Sequence, residues 1–311
     1  MCAESQDRET VPVCDLCGSD RTRRVFEERG FPIVRCRRCG LVYVTPRLTQ
    51  AKIAEVFDAF AKGQRDKISA ELGLGPLWDR ESPREKKRYD ECLGFLLGRL
   101  PPGSRKLLDV GAGNGNLVIR AKQMGFDPFA FDVMSGHIER LSREHGIPGA
   151  SAPSLHHAAL PEGSFDAATL WDVLEHLPAP SSVLAEIRRI LKPGGILALK
   201  TPNYNWLILK ANLITRTLGK DAHKRTQLLS NFGVFAPEVH LYNFTPRTLA
   251  LMLEKTGFSL IKISLARSTE PVSRISLLAH DAVTYAARVL YRLSLEKVNL
   301  NPSLTAYAEK R

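Results

Sequence analysis

The sequence predicts an α/β protein, a doubly wound and mostly parallel sheet with a small cysteine-rich ribbon ahead of it. Three observations carry that prediction. From Lys106 onward, short apolar runs alternate with amphipathic stretches through brief connections, the pattern of parallel strands covered on both faces by helices. The first run leads into a glycine-rich turn, "LLDVGAGNGN" over 107–116, at the strand end where such sheets bind ligands. Near the N-terminus, Cys14/Cys17 and Cys36/Cys39 form two CxxC pairs with 18 residues between them, the spacing of a four-cysteine zinc ribbon.

The 311 residues suffice for one large domain and a small appendage, and 44% hydrophobic with 25% charged residues is a globular composition. No apolar stretch reaches the roughly 18 residues that span a bilayer. No charged and then apolar leader opens the chain, so a cytoplasmic protein is expected. The net charge of +11 is unevenly spread: residues 48–199 carry 19 basic and 19 acidic side chains, residues 200–311 carry 16 and 7, and residues 1–47 carry 9 and 7. The surplus outside the central segment suits either an anionic partner or a solvated basic face.

Residues 1–47 form the ribbon. Each CxxC is a tight knuckle that aims two thiolates at one ion, and Gly18 and Gly40 each follow a second cysteine where the backbone must turn. A closed shell of four ligands predicts a structural Zn²⁺, with no position left for substrate water. Six arginines (Arg21, Arg23, Arg24, Arg35, Arg37, Arg38) could contact nucleic acid. The thiolate charge around zinc offsets much of that surplus, so nucleic acid is disfavoured as a partner. Cys2 and Cys92 are expected to be inert.

Residues 48–104 read as a linker with N-terminal helices. Thr49 is the N-cap of a helix over 50–60 with Ile53, Val56, Phe57 and Phe60 on one face. Residues 62–82 read as a linker or lid. A second helix starts at Pro83, where proline is tolerated, and runs to about Gly98. Strands are predicted over 106–111, 128–133, about 147–152, 165–173 and 196–202, with helices over 116–124, 136–145 and 181–191, the last capped by Ser181 or Ser182. Thr245 caps a helix to about Lys255, and 258–266 is a late strand in an edge hairpin. Residues 105–268 are the expected catalytic domain, 203–240 a substrate-cap insertion, and 269–311 a helical tail.

The turn's spacing excludes two ligands. A triphosphate loop needs a lysine and Ser/Thr after its last glycine, but Asn116 follows Gly115. A dinucleotide loop wants its third glycine at 116 instead of 115. Asp109, before the first glycine, would repel pyrophosphate and attract an ammonium.

At this point the chain resembles a class I S-adenosylmethionine-dependent methyltransferase, most similar to the group holding quinone, natural-product and sugar methyltransferases. The resemblance rests on "LLDVGAGNGN", "FDV" (131–133), "GSFDAATLWDVLEHLPAP" (163–180), "LKPGG" (191–195), "TPN" (201–203) and "HLYNFTPRTLALMLEKTGF" (240–258). It implies a Rossmann-like sheet of seven strands with S-adenosylmethionine as cofactor. Asp109 would lie near the methionine ammonium, and Gly111, Gly113 and Gly115 would let the backbone approach methionine and ribose. Asp132 would accept the ribose hydroxyls, Val133 and Met134 would flank the adenine, and Trp171 and Asp172 would line the sulfonium end. One departure is that 149–163 lacks the aspartate that relatives place against the adenine amino group, leaving Ser154 or a carbonyl to substitute.

Oxygen nucleophiles need deprotonation, so His176 and His240 are the catalytic candidates. The set Asp172, Glu175, His176 and His240 is also similar to motifs in relatives that hold a second divalent cation. The cap places aromatics (Tyr204, Trp206, Phe232, Phe235) beside cations, which suits a flat acceptor with an anionic group or a small core of its own. Apolar spacing over 275–293 predicts a helix that packs on the body or on a partner subunit, or lies on a membrane surface. The sequence thus predicts methylation of a small-molecule or carrier-linked acceptor, on oxygen. Nucleotide-sugar C-methylation, RNA methylation and a non-enzymatic cofactor-binding role are the alternatives. Nothing in it fixes the oligomeric state.

Overall fold

A computed structural model of the chain describes residues 7–61, 83–209, 237–266 and 301–311, together with Tyr285 and Val289. They fall into two compact units.

The first unit comprises Met1–Trp78, Glu175–Pro178 and Pro202–Thr248. Strands β1 (Arg8–Glu9) and β5 (Arg47–Leu48) pair antiparallel. Strands β2 (Thr22–Glu28), β3 (Phe31–Cys36) and β4 (Val42–Val44) form the ribbon, and Tyr242–Asn243 (β11) completes its sheet in the order β11-β4-β3-β2. The β2–β3 hairpin turns through Arg29 and Gly30, both at positive φ, which glycine adopts without steric cost. Ile33, Leu41, Val42, Tyr43, Val44, Leu241 and Phe244 are buried in this unit. Helix α1 (Gln50–Ala61) begins at Thr49, whose hydroxyl accepts the Lys52 N–H at 3.3 Å, as predicted.

The two compact units group the chain differently from the sequence-derived bounds. The ribbon does not stand alone over residues 1–47, because β4 has an edge that β11 pairs with through Tyr43–Tyr242 and Val42–Asn243. The described parts of the expected cap, 203–209 and 237–240, belong with the ribbon rather than with the catalytic sheet. An open strand edge seeks a partner, and the pairing is too distant in sequence for local patterning to reveal. Residues 62–82 and most of the cap, including Phe232 and Phe235, lie outside the described residues.

The second unit contains helix α2 (Pro83–Arg99) and a seven-stranded sheet. Its strands are β6 (Lys106–Val110), β7 (Asp127–Asp132), β8 (Gly149–Ser151), β9 (Phe165–Trp171), β10 (Leu191–Pro202), β12 (Phe258–Ala266) and β13 (Ser303–Lys310). The order is β12-β13-β10-β9-β6-β7-β8; the run from β10 to β8 is parallel, and β12 and β13 are antiparallel to each other. Helices α3 (Asn116–Gln123), α4 (Ser135–His145) and α5 (Pro180–Ile190) connect the parallel strands. Leu93 and Leu96 of α2 pack with Leu107, Leu117, Ala167 and Ala198, each buried leucine contributing about 2 kcal/mol.

Two expectations change here. Helix α5 starts one residue early, with Pro180 at its first position, Ala179 as N-cap and no side-chain cap from Ser181 or Ser182. Proline's fixed φ sets that start. Within the expected helical tail, Ser303–Lys310 is a sheet strand, inserted between β10 and β12. Its register with β12 runs from Phe258–Lys310 to Ala266–Ser303. The helix expected over 275–293 lies outside the described residues except for Tyr285 and Val289, which are helical and exposed.

Candidate active site

In the sheet unit the glycine turn is tied to the neighbouring strand. The N–H groups of Gly111 and Ala112 donate to the Phe131 carbonyl at 2.8 and 3.0 Å, and the Gly113 N–H donates to Asp132 Oδ2 at 2.8 Å. The other Asp132 oxygen accepts the Met134 N–H at 2.9 Å. A carboxylate has about four lone-pair sites, so Asp132 orders the turn and still has acceptor capacity. Val133, beside it, is exposed. Gly115 is required for space: at φ +76, a Cβ there would lie 2.2 Å from Leu141 Cδ2.

Asp109 ends up fully buried at the end of β6. Burial pushes its carboxyl up to about 7, with Asp132 adding to the rise and the Thr169 hydroxyl, 2.6 Å from Oδ1, opposing it. A buried carboxylate held this way is poised for a cationic ligand.

Trp171 and Asp172 lie at the end of β9, and residues that sequence reasoning missed surround them. Asp172 is at φ +56, its N–H donates to the Lys200 carbonyl at 3.0 Å, and its carboxylate pairs with the Lys200 ammonium. Lys200 is 1% exposed and lies over the Trp171 ring at 5.7 Å. Tyr89 meets Trp171 edge-on at 5.5 Å. The visible signal was a lysine inside an otherwise apolar run, "ILALKTP"; for Tyr89 and Thr169 there was none. The Ser154 hydroxyl, named as a substitute for the missing adenine-facing acid, bonds His157 Nδ1 at 2.8 Å.

In the ribbon unit His176 and His240 come together, with ring centroids 4.9 Å apart. His176 Nδ1 lies 2.9 Å from the Val239 carbonyl; a carbonyl only accepts, so Nδ1 carries a proton, and in the neutral ring Nε2 holds the lone pair. Glu175 joins them: one ligand atom from each of Glu175, His176 and His240 lies within 4.8 Å of the others. Asp172, the fourth member of the set read from the sequence, is engaged by Lys200.

The four ribbon sulfurs also lie within 4.8 Å of one another, with Cys14–Cys39 and Cys17–Cys36 each at 3.5 Å. Sulfurs about 2.3 Å from a tetrahedral ion stand about 3.8 Å apart. The Cys36 sulfur accepts backbone N–H groups of Cys39 and Arg38, and the Cys14 sulfur those of Cys17 and Leu16. Burial drives the Cys14 thiol well above its ordinary value, a state that a bound dication would relieve. The donor set therefore fits one tetrahedral metal ion. Cys92 is fully buried, and burial raises its thiol to about 12, as an inert cysteine requires.

A mostly parallel sheet with a glycine turn at the end of one strand, linked to an acid at the end of the next, is the arrangement at which open α/β sheets bind nucleotide cofactors. A model described as "Methyltransferase domain" matches residues 81–263. The chain belongs to that family and is an S-adenosylmethionine-dependent methyltransferase. A ubiquinone biosynthesis O-methyltransferase of Xanthomonas oryzae pv. oryzae (strain PXO99A) is 30% identical over 179 residues, covering 53% of this chain and 73% of the relative. That of Xanthomonas axonopodis pv. citri (strain 306) is 27% identical, covering 73% and 93%. Burkholderia thailandensis 1,6-didemethyltoxoflavin-N1-methyltransferase, solved with its substrate and S-adenosylhomocysteine, shares the fold with a TM-score of 0.50, 16% identity, and coverage of 93% and 99%.

Proposed function

We propose that this enzyme moves the methyl group of S-adenosylmethionine to an oxygen of a small-molecule or carrier-linked acceptor. The observation that carries the acceptor class is the likeness to ubiquinone biosynthesis O-methyltransferases over most of their length. Bound S-adenosylmethionine would supply a sulfonium-activated carbon, and the chain supplies alignment and proton transfer. Asp109 would face the ammonium, the glycines at 111, 113 and 115 would admit methionine and ribose, and Asp132 would take the ribose hydroxyls. Val133 would lie against the adenine, and Trp171 and Asp172 at the sulfonium end. His176, with Nε2 as the lone-pair nitrogen, would take the acceptor's proton, with His240 beside it.

The four cysteines would hold a structural Zn²⁺, which fixes the ribbon and takes no part in methyl transfer. Among the described residues no helix is long and apolar enough to cross a membrane; our reading places the enzyme in the cytoplasm, where thiols stay reduced. A methyl-transfer screen against quinols and other phenolic acceptors tests the proposal. His176→Gln should lower kcat by about 10²-fold or more, the scale of a lost general base. Full turnover in both His176→Gln and His240→Gln would remove the base role.

A second reading is favoured by the close approach of Glu175, His176 and His240: they would hold a divalent cation that binds the acceptor oxygen. Dialysis against EDTA decides between the two. Turnover that survives EDTA supports the base, and loss restored by Mg²⁺ or Mn²⁺ supports the cation.

A further inference from the structure

One face of the ribbon sheet carries, in a single row, three polar side chains that structural roles do not explain. In register across the four strands stand Arg23 of β2, Arg35 of β3, Val42 of β4 and Asn243 of β11. Directly opposed residues of antiparallel strands share a face, and strands about 4.8 Å apart make this row roughly 14 Å long. The adjacent row, Arg24, Val34, Tyr43 and Tyr242, points the other way.

Arg23 and Arg35 are like charges placed directly opposite each other, an arrangement that repels. Both are exposed, and among the described residues neither guanidinium has a hydrogen bond or an acid partner. Their neighbours differ: Arg24 pairs with Glu27 at 2.8 Å, Arg37 donates to the Thr22 carbonyl, and Arg38 to that of Cys17. Arg35 lies over Gly40, where a Cβ would come within 3.3 Å of Nη2. At the far end of the row Asn243 is 3% exposed, and neither its carboxamide oxygen nor its nitrogen has a hydrogen-bond partner. A buried amide left unmatched is rare in a folded protein. Tyr204 belongs to the same unit; burial raises its phenol, and the Arg35 and Arg23 cations oppose the rise.

We infer that this face is a binding site for a phosphorylated small molecule, its phosphate held between Arg23 and Arg35 and a polar ring paired with the Asn243 carboxamide. Two guanidinium forks match phosphate oxygens, and a carboxamide offers one acceptor and two donors to a ring edge. The inference rests on the reading that the acceptor is a small molecule, and adds that it carries a phosphate.

Calorimetry on the full chain tests this with inorganic pyrophosphate, which reaches only the arginines, and uridine 5′-diphosphate, which offers both groups. Uridine diphosphate should bind at least about tenfold more tightly than pyrophosphate. Arg23→Gln and Arg35→Gln should each weaken both ligands about tenfold or more, whereas Arg24→Gln should leave them unchanged. Asn243→Leu should remove the preference for uridine diphosphate; if that variant does not fold, the two arginine variants still decide. Absent binding, or binding indifferent to Arg23 and Arg35, overturns the inference. So does RNA binding that uridine diphosphate does not displace. S-adenosylmethionine binding, measured in the same samples, reports separately on the methyltransferase reading.

Discussion

If Asp109 faces the cofactor ammonium as proposed, cofactor binding depends on pH in a direction that its surroundings fix. Its ligand-free carboxyl titrates near 7 because burial disfavours the anion. A ligand ammonium needs that anion, so below about pH 7 binding must first expel a proton. Affinity for S-adenosylmethionine should therefore hold at pH 8 and fall up to about tenfold per unit below 7. Asp109→Asn should bind weakly at every pH, and calorimetry at pH 6, 7 and 8 checks both. The glycines are not equivalent either. Gly115→Ala drives a methyl into Leu141 at φ +76, whereas a Cβ at Gly113 meets nothing within 4 Å. Gly115→Ala should cost about 1–3 kcal/mol of stability, Gly113→Ala less, as thermal melts would show. Both positions were legible from spacing alone. Lys200 was not, because its meaning comes from Asp172, which lies beside it only once β9 and β10 pair.

At the level of elements, the parallel strands were readable because their burial on both faces leaves continuous apolar runs, as over 196–199 in β10. Caps at Thr49 and Thr245 were readable because they are local: the Thr245 hydroxyl accepts the Thr248 N–H at 3.1 Å. Strands β11 and β13 were hidden for the opposite reason. Tyr242–Asn243 is two residues long and pairs with a strand about 200 positions away, and Ser303–Lys310 follows a segment patterned as helix. Their importance can be measured. Truncation before Ser303 would expose β10 and β12 edges, and the variant should be insoluble or melt many degrees lower. The metal reading makes a prediction at the same level. The purified protein should carry about one zinc per chain, and Cys36→Ser should lose it. Because β11 pairs with β4, that variant should also speed amide exchange at Tyr242 and Asn243. Unchanged exchange would separate the metal from this pairing.

For the whole molecule, the two units divide the chemistry. The sheet unit contains every residue assigned to the methyl donor, from Asp109 to Asp172, while the ribbon unit contains the paired histidines, the four cysteines and the Arg23–Arg35 face. The chain weaves between them, leaving the sheet unit after Leu174 and again after Thr201. The sheet unit's motifs were readable in the sequence, since they are short and contiguous. Sequence patterning placed the ribbon apart, since long-range strand pairing assembles that unit. The central claim is that the glycine turn and Asp132 form the S-adenosylmethionine site. Titration of S-adenosylhomocysteine into the full chain at pH 8 tests it most directly. One ligand should bind per chain, and Asp132→Ala should weaken it at least about tenfold, equal to about 1.4 kcal/mol. No binding to the wild-type chain, or equal affinity in a folded Asp132→Ala variant, would contradict the account.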